Sequence, residues 1–282
     1  MKLATVINFC TNELPFLRCC VENALQVSQQ VIVSVCERFF DGTPENGERL
    51  RHACMSNPEC EFLLFAFDSE RNFYTRHGVR YWHNWGRLLG YFHLHSEIEA
   101  VLFLDSDEIL DVEAFKSVSW EGLDAARLAN YWYFREPIYR AKTLEDSPLF
   151  VKRNQFSPEK IMDSEERAGT YARIEGNKQR YLLSKEGYPL IHHYSWVRSK
   201  EAMLRKVRSW GHREERPWEK LVEEEFSRPF SGKDFVHGYE FEKVPPQFTF
   251  HDGIPLTLKE PKNVRFISTD EMHRIDLNTF YS

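Results

Sequence analysis

Asp105, Ser106, Asp107 and Glu108 follow directly on the apolar run Val101–Leu104, and an apolar pattern resumes at Ile109. Three carboxylates within four residues repel one another and are costly to take out of water. A cation therefore belongs beside them. Asp105 and Asp107 stand at i and i+2 just past a strand-like segment, and oxygen donors so placed suit a hard divalent ion, Mg²⁺ or Mn²⁺. Such ions keep waters and share their ligation with substrate phosphates. The pair thus predicts a metal that bridges to a diphosphate. The plainer alternative is a set of solvated aspartates capping a helix at "EILDVEAF".

Those carboxylates need a scaffold, and the first hundred residues supply one. Ala4–Asn8, Val31–Val35, Phe62–Phe67 and Val101–Leu104 are short, nearly continuous apolar runs. Between the first two, Thr11 or Asn12 can cap a helix with Pro15 in its first turn, and Leu17, Cys20, Val21, Ala24 and Leu25 keep helical spacing. "DGTPENG" is loop chemistry and leads into a short helix from about Glu48 to Ser56. Trp85, Leu88, Leu89 and Phe92 mark another helix face. Apolar strands alternating with helices predict an α/β fold, a mostly parallel sheet covered on both faces. Ligands of such sheets bind outside the carboxyl ends of the strands. Four strand ends, "CTNE", "CERFFDGT", "FDSERN" and "DSDE", should meet there, each bringing a carboxylate.

The later chain is less regular. Ala125–Phe134 and Pro148–Arg153 read as strands. Ser199–Arg216 reads as a helix with an apolar stripe of Met203, Leu204, Val207 and Trp210. Its basic face is Lys200, Arg205, Lys206, Arg208, Arg213 and Arg216. From Pro217 onward the chain turns Pro- and charge-rich, with short apolar pieces such as "QFTF". The expected division is one domain over 1–215, split into a ligand-binding half (1–111) and a second half (112–215), with an irregular extension over 216–282 packed on it.

Composition narrows the classes. With 42% hydrophobic and 28% charged residues, the chain has the balance of a soluble globular protein. A net charge of −6 provides no global basic field for nucleic acid. No apolar run approaches the ~20 residues of a membrane helix, and "MKLATVINF" reads as a strand rather than a leader. All six cysteines fall in the first 60 residues without a CxxC pair. That argues against zinc and for buried thiols in a reducing, cytoplasmic setting.

The order "INFCTNE", "VIVSVCE", "FDGT", "NWGRLLG", "FLDSDEILD", over about Leu3 to Asp111, resembles the nucleotide-binding half of GT-A glycosyltransferases, most closely family 2. His192–His212 is similar to the His-x-Ser-Trp stretch and following helix of family 17 N-acetylglucosaminyltransferases, and "DSDEI" matches their acidic motif. The resemblance implies a Rossmann-like GT-A sheet and a nucleotide-diphosphate sugar donor, UDP before GDP. It also implies a glycan or glycoprotein acceptor and Mn²⁺ or Mg²⁺. The loop with Thr11 and Glu13 would meet the base. Glu37 stands where family 2 usually has aspartate. Asn84 and Arg87 would face the donor, with Asp105 and Ser106 at ribose or metal-bound water. Asp107 would ligate the metal with His193, His192 being the competitor. An inverting transfer also needs a general base for the acceptor hydroxyl. "IMDSEERAG" offers Asp163, Glu165 and Glu166, of which Glu166 and Asp163 are preferred, with Glu136 outside the segment. Arg198, Lys206 or His212 would neutralise the leaving diphosphate, unless the helix presents only a solvated basic face. Trp82, Trp85, Trp132 and Trp196 either stack on sugars or fill the core. Two other functions fit parts of the pattern: a haloacid-dehalogenase-like phosphatase with Asp105 as nucleophile, and a non-catalytic nucleotide-sugar or glycan-binding module.

Overall fold

The computed structural model describes residues 1–67, 80–162, 165–250 and 260–280. Its strands are β1 (Leu3–Phe9), β2 (Gln30–Cys36), β3 (Glu61–Phe65), β4 (Ala100–Asp105), β5 (Glu108–Leu110), β6 (Ala125–Leu128), β7 (Asn130–Phe134), β8 (Glu136–Ala141), β9 (Leu149–Lys152), β10 (Lys178–Leu182), β11 (Ile191–Trp196), β12 (Phe241–Lys243) and β13 (Val264–Ile267). The helices are α1 (Leu14–Leu25), α2 (Gly47–Ser56), α3 (Arg80–Phe92), α4 (Val112–Ser117), α5 (Pro158–Ile161), α6 (Glu166–Arg173), α7 (Lys200–Ser209), α8 (Trp218–Phe226) and α9 (Thr269–Phe280). An eight-stranded sheet runs β10-β6-β9-β4-β1-β2-β3-β13, and a five-stranded sheet runs β12-β8-β7-β11-β5. In the larger sheet only β9 runs against its neighbours β4 and β6. The expected mostly parallel α/β sheet is therefore present.

Alternation along each strand explains the layering, since successive side chains point to opposite faces. Ile7, Val33, Leu102 and Leu104 pack toward Leu17, Val21 and Ala24 of α1. Val6, Ile32, Val101 and Phe103 pack toward Trp85, Leu88 and Leu89 of α3. Trp82, Trp85, Trp132 and Trp196 are all buried, and of these Trp82 also lines the cleft.

The four strands foreseen in the amino-terminal half lie side by side and parallel in the order β4-β1-β2-β3. Chain connections leave β1 toward opposite sides, so the crevice between the ends of β1 and β4 is a topological switch point. There Asn8 lies in register with Asp105. Helix α3 crosses this corner closely. A Cβ on Gly86 would stand 2.8 Å from Asn8 Oδ1, and one on Gly90 would stand 2.4 Å from Val6 Cγ1. The two glycines let α3 bring Asn84 and Arg87 against the strand ends.

Three expectations change. Ala125–Phe134 is two strands, because the chain leaves the large sheet at Ala129 and β7 joins the smaller one. The helix expected to Arg216 stops at Ser209, where Trp210 takes an extended conformation (ψ 170°) before Gly211. Lys206, placed on its basic face, is buried instead. In the carboxy-terminal segment, β13 pairs with β3 at the edge of the large sheet and β12 pairs with β8. "QFTF" forms no strand.

Candidate active site

Strand β4 delivers Asp105 to the rim of a cleft of about 260 Å³. The next carboxylates divide between two surroundings. Glu108, fully buried, receives both Nη1 (2.5 Å) and Nη2 (2.9 Å) of Arg167. It also accepts from the backbone N–H of Asp105 and the hydroxyl of Ser147, both at 2.8 Å. Asp105 is gripped from two sides, by Arg167 Nη2 and by Arg87 Nη2, each at 3.1 Å. Burial alone would raise the Asp105 carboxyl, but Arg167, Arg87 and His83 outweigh it and keep it low. With both oxygens taken by guanidinium groups, Asp105 is not arranged as a phosphatase nucleophile.

Asp107 is buried too, but more loosely held. His193 Nε2 lies 3.5 Å from its Oδ1, and Arg198 Nη2 and Lys206 Nζ each lie 3.6 Å from its Oδ2. These are ion-pair distances, not tight hydrogen bonds. Burial would raise this carboxyl, and Lys206, His193 and Arg198 hold it well below the usual carboxylate range. The two cations are themselves anchored by Glu13: Arg198 pairs with its Oε2 and Lys206 donates to its Oε1 at 3.2 Å. Lys206 also donates to Ser195 Oγ at 2.9 Å. Glu13, expected at the nucleotide base, thus lines the cleft while anchoring the basic pair.

Strand pairing chooses between the adjacent histidines. Strand β11 runs antiparallel to β5, and Tyr194 N–H donates to the Asp107 carbonyl at 2.8 Å. That places the His193 ring beside Asp107. His192 points to the opposite face, where it shares a 2.8 Å hydrogen bond with the Tyr133 hydroxyl and lies 3.8 Å from Asp111. His192 belongs to the core. Burial would lower the His193 imidazole, but Asp107, with Glu108 and Glu145, pushes it up to about 9, so without a metal it faces Asp107 as a cation. On losing that proton, its Nε2 and the Asp107 oxygen 3.5 Å away fit Mn²⁺ or Mg²⁺ as donors. Among the described residues no three His, Cys, Asp or Glu side chains cluster as a metal site. A metal here would take its remaining ligands from water and phosphate.

The remaining expectations are distributed around this centre. Arg87 joins the halves of the wall, donating to Asn84 Oδ1 at 3.1 Å and pairing with Glu166 Oε2 at 3.3 Å. Glu166 also lies 3.4 Å from His83 Nδ1. Burial would raise its carboxyl, and His83 and Arg87 hold it low and ionised. It faces the cleft with φ at +53°, a left-handed backbone rare outside glycine. Asp163 lies outside the described residues, as do Asp68 and Glu70 of the third strand end. Glu136 is exposed and does not line the cleft. The buried Ser106 hydroxyl lines the cleft without a hydrogen-bond partner.

At the β2 end, Glu37 accepts from Phe67 N–H at 3.0 Å, and Glu45 is the carboxylate that lines the cleft. Thr11 donates to Glu45 through both its amide and its hydroxyl. Burial, partly offset by those bonds, pushes the Glu45 carboxyl up to about 7. Sequence spacing singled out neither Glu45, inside a loop-forming stretch, nor Arg167, one residue after Glu166. Trp210 and His212 line the cleft because α7 ends early. Cys10 and Cys36 line it too, but burial raises Cys10 and pushes Cys36 up to about 12, so neither offers a thiolate. All six cysteines are free thiols.

No family profile matches the chain, and no curated protein does. Among solved structures it is similar to the mannosyltransferase PcManGT from Pyrobaculum calidifontis, described in complex with GDP-Man and Mn²⁺. The identity is 13%, covering 74% of this chain and 61% of that one, with a TM-score of 0.43. It is similar to the galactosyltransferase LgtC, described in complex with donor and acceptor sugar analogs, at 9% identity, 80% and 97% coverage and a TM-score of 0.39. It is also similar to the inositol-1-phosphate CTP transferase from T. maritima, at 11% identity, 72% and 94% coverage and a TM-score of 0.38. The chain therefore spans under two thirds of the first of these and most of the other two.

Proposed function

We propose that the chain is a metal-dependent glycosyltransferase of GT-A type. It would move a sugar from a nucleotide-diphosphate sugar, UDP before GDP, to a glycan or glycoprotein hydroxyl with inversion. The observation that carries this is the facing pair Asp107 and His193, backed by Arg198 and Lys206, at the switch point of a parallel sheet. Asp107 and His193 would hold Mn²⁺ or Mg²⁺. When bound, the ion stabilises negative charge on the leaving diphosphate. Lys206 and Arg198, fixed by Glu13, add a second set of charges preorganised toward the same point. Arg87, Asn84, Asp105 and Ser106 form the donor-facing wall. Glu45, held by the buried Thr11, lines the end beyond β1 and β2, and Glu37 braces that end through Phe67.

Glu166 is the carboxylate assigned to take the acceptor proton, with Asp163 of the same segment as the alternative. Glu166 is ionised, as a base must be, because Arg87 and His83 hold it so. A diphosphate that draws Arg87 toward itself would raise the proton affinity of Glu166 toward the range a general base needs. The free thiols suit a cytoplasmic setting.

The test is a panel of nucleotide sugars with Mn²⁺, scored for hydrolysis and transfer, with the product anomer read by NMR. UDP-sugar turnover that EDTA abolishes, with inverted configuration, is expected. Turnover indifferent to EDTA would overturn the metal role. Retained configuration would remove the general base, and covalent phosphate on Asp105 would replace the whole proposal with phosphatase chemistry.

A further inference from the structure

His193 has two ring nitrogens, and only one faces Asp107. Its Nδ1 is buried without a hydrogen bond and points instead at Glu145, whose Oε2 lies 3.9 Å away. Glu145 stands in the connection between β8 and β9, and its position is imposed from several sides. Its backbone exchanges hydrogen bonds with Asn130 at the start of β7, at 2.8 and 3.1 Å. Its second oxygen, Oε1, lies 3.6 Å from His237 Nε2, and burial, together with the negative charge of Glu145, pushes the nearby Tyr239 hydroxyl up to about 12. His237 and Tyr239 are in turn held on a turn whose backbone N–H groups, from Val236 to Tyr239, all donate to the Asp234 carboxylate. The edge of Trp132 packs against the His237 ring, with centroids 5.0 Å apart.

We propose that Glu145 is a positioning residue for the metal pair: it accepts the Nδ1 proton of His193 and so leaves Nε2, the nitrogen facing Asp107, free to donate to a divalent ion. This rests on the reading of Asp107 and His193 as metal ligands. A histidine that binds a metal through one nitrogen normally donates the other N–H to a carboxylate or carbonyl, which fixes its tautomer and ring orientation. Here the carboxylate that Nδ1 faces is Glu145, at 3.9 Å. The carboxylate is preset by β7 on one side and by the carboxy-terminal turn on the other. The row Asp107, His193, Glu145, His237 thus ties the 216–282 segment to the centre of the cleft, a link that nothing in the acidic motif reveals.

The experiment compares wild type, His193→Ala, Glu145→Ala and Glu145→Gln for Mn²⁺ affinity in the presence of UDP, measured by the EPR signal of free Mn²⁺. Melting in EDTA is followed alongside, and histidine tautomers are read by ¹⁵N NMR with Mg²⁺ and UDP. Glu145→Ala is expected to weaken Mn²⁺ binding by roughly 10–100-fold with little change in metal-free melting. Glu145→Gln, which keeps an acceptor oxygen, should recover much of that loss. In wild type, His193 should carry its proton on Nδ1. If His193→Ala leaves Mn²⁺ affinity unchanged, the metal pair itself is wrong. If His193→Ala abolishes affinity while Glu145→Ala binds Mn²⁺ like wild type, only the role of Glu145 is overturned. Should Glu145→Ala not fold, a wild-type His193 proton on Nε2 would be enough to reject it.

Discussion

Asp105 and Asp107 are two residues apart and carry the same charge, yet they are held in opposite ways. Asp105, with Glu108 behind it, is clamped by Arg87 and Arg167 at 2.5–3.1 Å. Asp107 is ringed by His193, Arg198 and Lys206 at 3.5–3.6 Å. Short, bidentate guanidinium contacts to a buried carboxylate are architectural: removing one partner strands the other charge away from water. A carboxylate whose cations stand off by an extra half ångström keeps lone pairs for a ligand. One acidic motif therefore contains a locked half that builds the crevice and a more loosely held half, the one to which the proposed function assigns the metal.

The locked half can be broken most visibly at Arg167. Arg167→Met should leave Glu108 buried and unpaired and cost about 3–5 kcal/mol, read as a fall in the urea midpoint. A variant as stable as wild type would mean that this half carries no structural role. The scaffold behind it is the next lever. Gly90→Ala pushes a Cβ into Val6 and should cost about 1–3 kcal/mol by overpacking, while shifting the helix that carries Arg87. Asp107→Asn sharpens the contrast from the other side. Its cations keep Glu13, so the loss of metal-free stability should be smaller than that of Arg167→Met, although the side chain is as buried as its neighbours. A large loss would erase the distinction between the halves.

A further lever is pH. The folded-state pKa of Glu45 is raised from 4.5 to about 7, chiefly by burial. The native protein therefore keeps a proton that the unfolded chain releases across that window, and this group's contribution to stability falls as pH rises from about 4.5 to 7. Glu45→Gln should flatten that segment of the stability profile. An unchanged slope would mean that Glu45 ionises freely at the cleft end.

Legibility from sequence followed the range of the interaction. The four amino-terminal strands were readable because parallel strands buried on both faces are nearly continuous apolar runs. Asp105 and Asp107 stood out because they follow such a run. Arg167 and Glu145 did not, since they reach the motif from far along the chain, where pairing depends on the completed fold; Lys206 was legible on the basic stretch after Ser199, though not as a partner of Asp107. For the same reason the three-carboxylate puzzle was only half solved by invoking a metal. The protein's own Arg87, Arg167, Arg198, Lys206 and His193 already answer much of that charge. The sheet switch at Ala129 and the early end of α7 escaped because a period of apolar residues does not show which sheet a strand joins, or that a tryptophan before glycine leaves the helix.

The most direct test of the divided motif is a thermal-shift titration of UDP with Mn²⁺, repeated in EDTA, on wild type and Asp107→Asn. UDP should stabilise wild type with Mn²⁺ and much less in EDTA. The Asp107→Asn protein, compared at its own metal-free melting point, should show no difference between the two conditions. Equal stabilisation of wild type with and without metal, or an undiminished Mn²⁺ effect in Asp107→Asn, would contradict the account.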